Sequence, residues 1–202
     1  MEIKTIVFDL GGVLIDWDPA YLYRKMTDDP KEMEYFLTEV CTPSWNAEQD
    51  AGRSWEDAIN LLLPDFPKYE NEIRAYFGRW TEMLGGPIEG TVDILREIKE
   101  GGRYRLYALT NWSAETFPFA LERYDFLQWF EGTLVSGAEH LKKPDRRIYD
   151  LLLDRYQIDG PTALFLDDSM ANVEGSIAAG LPAIQFHNPA QLREDLQQKG
   201  IL

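Results

Sequence analysis

The sequence predicts an α/β protein in which helices enclose a parallel β-sheet and a helical segment is inserted near the start. Five short apolar runs rich in β-forming residues alternate with helical patterns along most of the chain. Such alternation favours a parallel sheet covered on both faces by helices. A stretch of about 70 residues without a convincing strand interrupts the alternation and predicts the insertion.

The predicted strands share buried, β-rich composition and precede turn or helix signals. They cover residues 3–8, 104–109, 132–135, 162–166 and 183–186. Between the first two of them, Ile88, Val92, Leu95 and Ile98 fall on one helical face, and Gly101-Gly102 predicts the end of that helix. We therefore expect a parallel sheet of about five or six strands connected largely by crossover helices.

The inserted segment runs from residue 16 to residue 86. Asp18-Pro19 and Gly85-Gly86-Pro87 bracket it with residues that break regular structure. Because a loop of this length is implausible in a compact domain, we predict a helical subdomain over 16–86 and a core formed by 1–15 and 87–202.

Composition narrows the classes of function. The chain has 202 residues, a formal net charge of −15 and 45% hydrophobic residues, which is globular and excludes disorder. The acidic balance argues against nucleic-acid and anionic-membrane partners, since both require basic surfaces. No apolar run approaches the roughly 18 residues of a membrane span. With no visible signal peptide and Cys41 as the single cysteine, we expect a cytoplasmic protein.

The strongest chemical signal follows the first predicted strand. Asp9 ends the run, and Gly11 and Gly12 come directly after it. Open α/β sheets bind ligands at the carboxyl ends of their strands. Glycines allow backbone amides to approach an anion, so this turn is a candidate anion site with a carboxylate beside it.

Three further polar signatures follow strand ends or precede helices. Thr110-Asn111 offers a hydroxyl and an amide that could donate to phosphate oxygens, and Lys143-Pro144 places a cation before a helix whose first turn suits Pro144. Asp167-Asp168 is a pair of carboxylates that repel each other unless a cation neutralises them. Oxygen ligands of this kind favour Mg²⁺, whereas two histidines and one cysteine disfavour zinc.

Taken in order, Asp9, Thr110-Asn111, Lys143 and Asp167-Asp168 resemble the four motifs of the haloacid dehalogenase (HAD) superfamily of hydrolases. The resemblance covers essentially the whole chain, and segment 16–86 stands where that superfamily carries its class 1 helical cap. The stretches 109–113 and 167–172 are similar to the phosphatase branch that includes glucose-1-phosphatase-like proteins. The implied fold is a HAD-type, Rossmann-like parallel sheet with an inserted helical cap.

The resemblance also implies roles. Asp9 would be the nucleophile that forms an aspartyl-phosphate, while Thr110, Asn111 and Lys143 would hold the transferring phosphoryl group. Asp9, Asp168 and the Gly11 carbonyl would bind Mg²⁺, with Asp167 contributing through a water. The implied activity is hydrolysis of a small phosphorylated metabolite, for which a sugar phosphate is one candidate. Oligomeric state is not implied.

One departure from the family pattern leaves the activity open. Most HAD phosphatases carry a second Asp, a general acid and base, where this chain has Gly11. General acid–base help is typically worth about 10²–10⁴-fold. Three hypotheses follow: a phosphatase that is slower or uses a cap residue or water as a substitute, a dehalogenase in which Asp9 attacks carbon, or a relic that binds a phosphorylated ligand or a partner without turnover. Four carboxylates of the insert are candidate substitutes, namely Asp16, Asp18, Glu48 and Asp50.

The insert carries two further predictions. Its aromatic residues are expected to fill a small helical core, and the loop 45–52 is expected to influence specificity. The insert also carries a net charge of −8 in 71 residues, against −7 in the remaining 131. An acidic cap should disfavour substrates with negative charge away from the reacting phosphate.

Overall fold

The core of the molecule is a five-stranded parallel sheet. We describe it from a computed structural model that covers residues 2–202; Met1, the first residue of the predicted core, lies outside the described residues. The sheet order is β5-β4-β1-β6-β7. The strands are β1 Thr5–Phe8, β4 Arg105–Thr110, β5 Gly132–Val135, β6 Ala163–Asp167 and β7 Ala183–Gln185, with β2 Ile15–Trp17 and β3 Leu84–Pro87 outside it.

The five predicted strands are therefore confirmed, with ends that differ by two residues at most. Strand β1 lies at the centre, where Val7 pairs with Tyr107 of β4 on one side and with Phe165 of β6 on the other. Because all three strands run in the same direction, their carboxyl ends meet at one edge. This edge brings together the polar residues that follow β1, β4 and β6.

Helices cover both faces of the sheet. Those of the core are α6 Glu89–Gly101, α7 Phe117–Arg123, α8 Ser136–Glu139, α9 Arg146–Tyr156, α10 Met170–Ala178 and α11 Pro189–Gln198. Successive β1 side chains point to opposite faces, so Ile6 and Phe8 join one apolar cluster while Val7 joins another with Ile148. All three β1 side chains are fully buried, as expected for a parallel sheet covered on both faces.

The inserted segment is mainly helical, but the prediction that it contains no strand is wrong at its ends. Strands β2 and β3 form an antiparallel pair in which Asp16 lies opposite Gly86. Gly85 of β3 leaves room for the Asp16 side chain, because a Cβ added to Gly85 would come 2.0 Å from Asp16 Oδ2. Three-residue runs such as Ile15–Trp17 are too short for periodicity to detect. We propose that the Asp16–Gly86 pair marks the boundary between core and cap.

Between these strands lie five α-helices and a π-helical turn. They are α1 Ala20–Tyr23, α2 Pro30–Tyr35, the π-helical turn Phe36–Val40, α3 Pro43–Gln49, α4 Trp55–Leu62 and α5 Glu70–Gly78. The predicted aromatic core is confirmed: Trp45, Trp55 and Tyr76 are buried with ring centroids 5.2–5.7 Å apart. Throughout residues 2–202, every helix is too short or too polar to cross a membrane.

Candidate active site

A buried lysine between two carboxylates forms the centre of the site. Lys143 Nζ lies 2.9 Å from Asp9 Oδ2 and 2.6 Å from Asp167 Oδ2, and it donates to the Leu109 carbonyl oxygen at 3.1 Å. Asp9 is 7% exposed, Lys143 2% and Asp167 0%. The loop before α9 thus carries Lys143 across the ends of three strands.

Asp167 is held by donors on all sides. The Ser169 backbone N–H donates to Asp167 Oδ1 at 2.8 Å, and Asn172 Nδ2 donates to the same oxygen at 3.0 Å. With Lys143 on Oδ2, these contacts occupy both oxygens of the carboxylate. Asp167 therefore orients Lys143 at the end of β6, and Asn172 on α10 orients Asp167.

Asp168 follows Asp167 in the chain and is exposed. Its carboxylate fits there because residue 12 is a glycine and has no side chain. A Cβ added to Gly12 would lie 2.4 Å from Asp168 Oδ2, and Gly12 has φ of 75°. The Gly12 N–H, expected to approach an anion, instead donates to the Ile15 carbonyl at 2.9 Å. Gly12 therefore contributes space for the Asp168 carboxylate, while a Cβ at Gly11 would meet no atom within 4 Å.

Three carboxylates converge here with one ammonium group. Oxygens of Asp9, Asp167 and Asp168 lie within 4.8 Å of one another. Burial raises the pKa of the Asp9 carboxyl, and Lys143 opposes that rise; burial, reinforced by Asp167, raises the pKa of Asp168. Burial also works to lower the pKa of Lys143, but Asp9 and Asp167 outweigh it and raise that pKa. A divalent cation bound by oxygen ligands would relieve this excess negative charge.

The Thr110 and Asn111 side chains differ in what they contact. Thr110 Oγ1 is fully buried and has no hydrogen-bond partner among residues 2–202, so it remains able to donate to a ligand oxygen. Asn111 Oδ1 accepts from the Lys143 backbone N–H at 2.8 Å, and Asn111 Nδ2 donates to the Lys143 carbonyl at 3.0 Å. Asn111 thus fixes the lysine loop.

That loop also corrects one local prediction. Pro144 does not begin the following helix, because α9 starts at Arg146 with Asp145 as its N-cap. The Asp145 carboxylate accepts from the Arg147 backbone N–H at 2.9 Å and supplies the capping bond that proline lacks. Lys143 therefore precedes the N-cap residue of α9, and its contacts with carboxylates fix its position.

A cavity of about 270 Å³ opens above this cluster, between core and cap. The core contributes Gly11, Gly12, Asn111, Trp112, Ser113, Thr116 and Asp168; strand β2 and the cap contribute Trp17, Asn46, Asp50, Trp55 and Trp80. The indole N–H groups of Trp17 and Trp112 are buried without an acceptor among residues 2–202. The cavity thus has three tryptophans, Trp17, Trp55 and Trp80, on the cap side, and mainly polar residues and glycines, with Trp112, on the core side.

Hydrogen bonds close the cap over the core. Trp55 Nε1 donates to Ser113 Oγ at 3.0 Å, and Lys142 Nζ donates to the Ala47 carbonyl at 3.0 Å. Ser136 Oγ donates to the Asp50 carbonyl at 2.5 Å. Residues 47–55 therefore lie directly against the carboxyl edge of the sheet.

Sequence reasoning missed Trp17 in the wall of the cavity. Its place beside Gly11 depends on the β2–β3 pair, which periodicity did not reveal. Trp112 directly follows Asn111, and that adjacency was the available signal for its place in the cavity.

Comparison with known proteins agrees with this architecture. The model of a hydrolase family, the haloacid dehalogenase-like hydrolases, matches residues 3–180. The chain is 26% identical to the sesquiterpene phosphatase astK of Aspergillus oryzae, over 96% of this chain and 95% of that protein. It is 23% identical to a D-ribitol-5-phosphate phosphatase of Bacteroides thetaiotaomicron, over 96% of this chain and 97% of the relative.

Solved structures show the same fold. A HAD family enzyme of Bacteroides thetaiotaomicron, in its magnesium complex, superposes with a TM-score of 0.73 at 20% identity, covering 93% of this chain and 95% of that one. The L-2-haloacid dehalogenase of Xanthobacter autotrophicus gives 0.65 at 17% identity, covering 99% and 84%. The predicted α/β fold with an inserted helical cap is confirmed, and the chain belongs to the haloacid dehalogenase-like hydrolase family.

Proposed function

We propose that this protein is a Mg²⁺-dependent phosphatase that hydrolyses small phosphate monoesters through a phosphoryl group carried on Asp9. The observation that carries the proposal is the buried Lys143 ammonium, which lies 2.9 Å from Asp9 beside the Asp167-Asp168 pair. A carboxylate nucleophile, a fixed cation and a divalent-metal site are what transfer of a charged phosphoryl group requires.

The residues present fit a magnesium ion. Asp9, Asp168 and the Gly11 carbonyl would hold it, with Asp167 contributing through a water because its oxygens already accept three donors. When bound, Mg²⁺ supplies positive charge that offsets the phosphate oxygens and lowers the repulsion felt by the nucleophile.

The chain's own groups then perform the transfer. Asp9 attacks phosphorus from the core side, so the ester oxygen leaves toward the cavity on the cap side. Lys143 stabilises the charge that develops on the phosphoryl oxygens, and the unpaired Thr110 hydroxyl donates to one of them. Asn111 keeps the lysine in place through its two backbone hydrogen bonds.

The cavity favours a substrate with a single phosphate and a compact, uncharged body. About 270 Å³ must hold both the phosphoryl group and the leaving group. Four tryptophans offer apolar surface, and two of them carry unpaired indole N–H groups suited to substrate hydroxyls. Relatives named as phosphatases of sesquiterpenes, D-ribitol 5-phosphate and phosphorylated carbohydrates support monophosphate esters of this kind.

The test is a phosphatase screen over a panel of metabolite monophosphates and bisphosphates, with Mg²⁺ and with EDTA. We expect Mg²⁺-dependent phosphate release that prefers monophosphates and that Asp9→Asn abolishes. Activity of Asp9→Asn equal to wild type would refute the proposal.

The same screen separates the two other hypotheses. Halide release from 2-chloropropionate that persists in EDTA would identify a dehalogenase. Absence of turnover over the whole panel, with phosphate binding retained, would identify a binding relic.

A further inference from the structure

The proposed phosphatase chemistry lacks one component in the core: a group that gives a proton to the departing alcohol. An alkoxide is a poor leaving group, so hydrolysis of an alkyl phosphate requires an acid on the side facing away from the nucleophile. Asp9, Lys143 and Asp167 are engaged with one another on the core side. The acid must therefore come from the wall of the cavity that the leaving group enters.

The structure distinguishes among the four candidate carboxylates of the insert. Asp16 Oδ2 accepts from the Tyr21 hydroxyl at 2.6 Å, and Asp18 Oδ1 accepts from the Ala20 N–H at 2.8 Å, so both hold local turns. Glu48 is paired with Lys142 at 3.2 Å on the surface. Asp50 alone among the four lines the cavity, together with Gly11, Asn111 and Asp168.

We propose that Asp50 is the general acid and base of this enzyme, supplied by the cap in place of a carboxylate at position 11. In the first step Asp9 forms a bond to phosphorus, the bond from phosphorus to the ester oxygen breaks, and Asp50 gives its proton to that oxygen. In the second step the Asp50 carboxylate takes a proton from water, the hydroxide oxygen bonds to phosphorus, and Asp9 is released as a carboxylate. The inference rests on the proposed function.

The surroundings of Asp50 suit both roles. It follows the last residue of α3, where the negative end of the helix dipole favours a neutral carboxyl. Burial raises the pKa of Asp50 to about 7, against the opposing effects of Lys142, the Ser113 backbone N–H and Lys143. A group with this pKa is present in both protonation states near neutral pH, as an acid and base in turn must be.

The position of Asp50 depends on closure of the cap. Its carbonyl accepts from Ser136 Oγ, which in turn accepts from the Trp112 backbone N–H at 2.9 Å. The Ser113 backbone N–H, on the core, acts to lower the pKa of the Asp50 carboxyl. The core therefore receives its acid only when the cap is closed, which ties proton transfer to substrate enclosure.

The experiment compares leaving groups. We measure kcat/KM of wild type and Asp50→Asn, in Mg²⁺, for p-nitrophenyl phosphate and for an alkyl monophosphate of similar size. Because p-nitrophenolate leaves without protonation, Asp50→Asn should lower kcat/KM by about 10²-fold or more for the alkyl ester and by less than about 10-fold for the aryl ester. Glu48→Gln, on the same helix, is the matched control and should change neither.

Two outcomes would overturn the inference: an equal loss for both esters, or no loss for either. Neither would overturn the phosphatase itself, which depends on the Asp9→Asn result. The pH profile of wild type gives a second measurement that needs no variant. Above about pH 7, kcat/KM for the alkyl ester should fall as Asp50 loses its proton, while that for the aryl ester should not; parallel profiles would contradict the inference.

Discussion

The two walls of the active-site cavity follow opposite rules. On the core side, beneath the residues that line the cavity, charged groups are buried and paired: Lys143 contacts two carboxylates, and Asp167 has a donor on each oxygen. On the cap wall, the surface is aromatic, and Asp50 is the carboxylate among the cap residues that line it. In the proposed mechanism, fixed electrostatics serve the phosphoryl group common to all substrates, whereas shape and one proton-transfer group serve the leaving group that differs between them.

The largest effect is expected from removing the central cation of the core wall. Lys143→Met leaves Asp9 and Asp167 as buried carboxylates without an opposite charge, which should cost about 3–5 kcal/mol of unfolding free energy and reduce kcat by at least about 10²-fold. Urea unfolding and steady-state kinetics measure the two losses.

Lys142→Met is the matched control for that variant. Lys142 is partly exposed and pairs with Glu48 on the surface, so its loss should cost less than about 1 kcal/mol. A similar loss of unfolding free energy in both variants would show that the buried position of Lys143 does not determine its contribution to stability.

A smaller effect is expected from a substitution that fills space beside Asp168 without removing a charge. In Gly12→Ala, the new Cβ would contact Asp168 Oδ2, and φ of 75° adds strain. Displacement of Asp168 should raise the Mg²⁺ concentration for half-maximal activity by about 10–100-fold. Gly101→Ala, where an added Cβ meets no atom within 4 Å, controls for the added methyl group, and an unchanged Mg²⁺ requirement in Gly12→Ala would contradict the role given to Gly12.

A modest effect is expected from removing a hydrogen bond that joins the cap to the core. Trp55→Phe removes the indole donor to Ser113 Oγ at a buried position. The free energy of cap closure should become less favourable by about 1 kcal/mol. Closure weakened by this amount corresponds to roughly a fivefold loss in kcat/KM. Faster amide exchange over residues 47–55 should accompany it, and unchanged exchange would show that this bond does not hold the cap.

The smallest effect should come from the first turn of α3, at the end of that helix opposite Asp50. Thr42 Oγ1 accepts from the Trp45 backbone N–H at 3.0 Å and caps α3, which leads to Asp50. Thr42→Ala should cost about 1 kcal/mol, or roughly 2–4 °C in melting temperature, with little change in kcat. Thermal unfolding and kinetics measure the two quantities, and a large loss of kcat without a change in melting temperature would contradict this assignment.

Much of the core was determined by the sequence itself. Buried parallel strands are continuous apolar runs, and the polar residues that end them, such as Asp9 and Asp167, must meet because parallel strands share one edge. The resemblance identified the superfamily from these same residues, and the family match confirms it. Assignment of the class 1 cap and of the glucose-1-phosphatase-like branch stays a prediction.

Only the tertiary structure decided which residue does what around that edge. Patterns along the sequence do not report contacts between segments that are distant in the chain. They could not show that Asn111 holds the Lys143 loop or that Gly12 makes room for Asp168. They also could not show that Asp16 pairs with Gly86. The same limit left four carboxylates equal as candidates for a missing acid. Closure of the cap singles out Asp50, because burial and proximity to the site are properties of the folded chain.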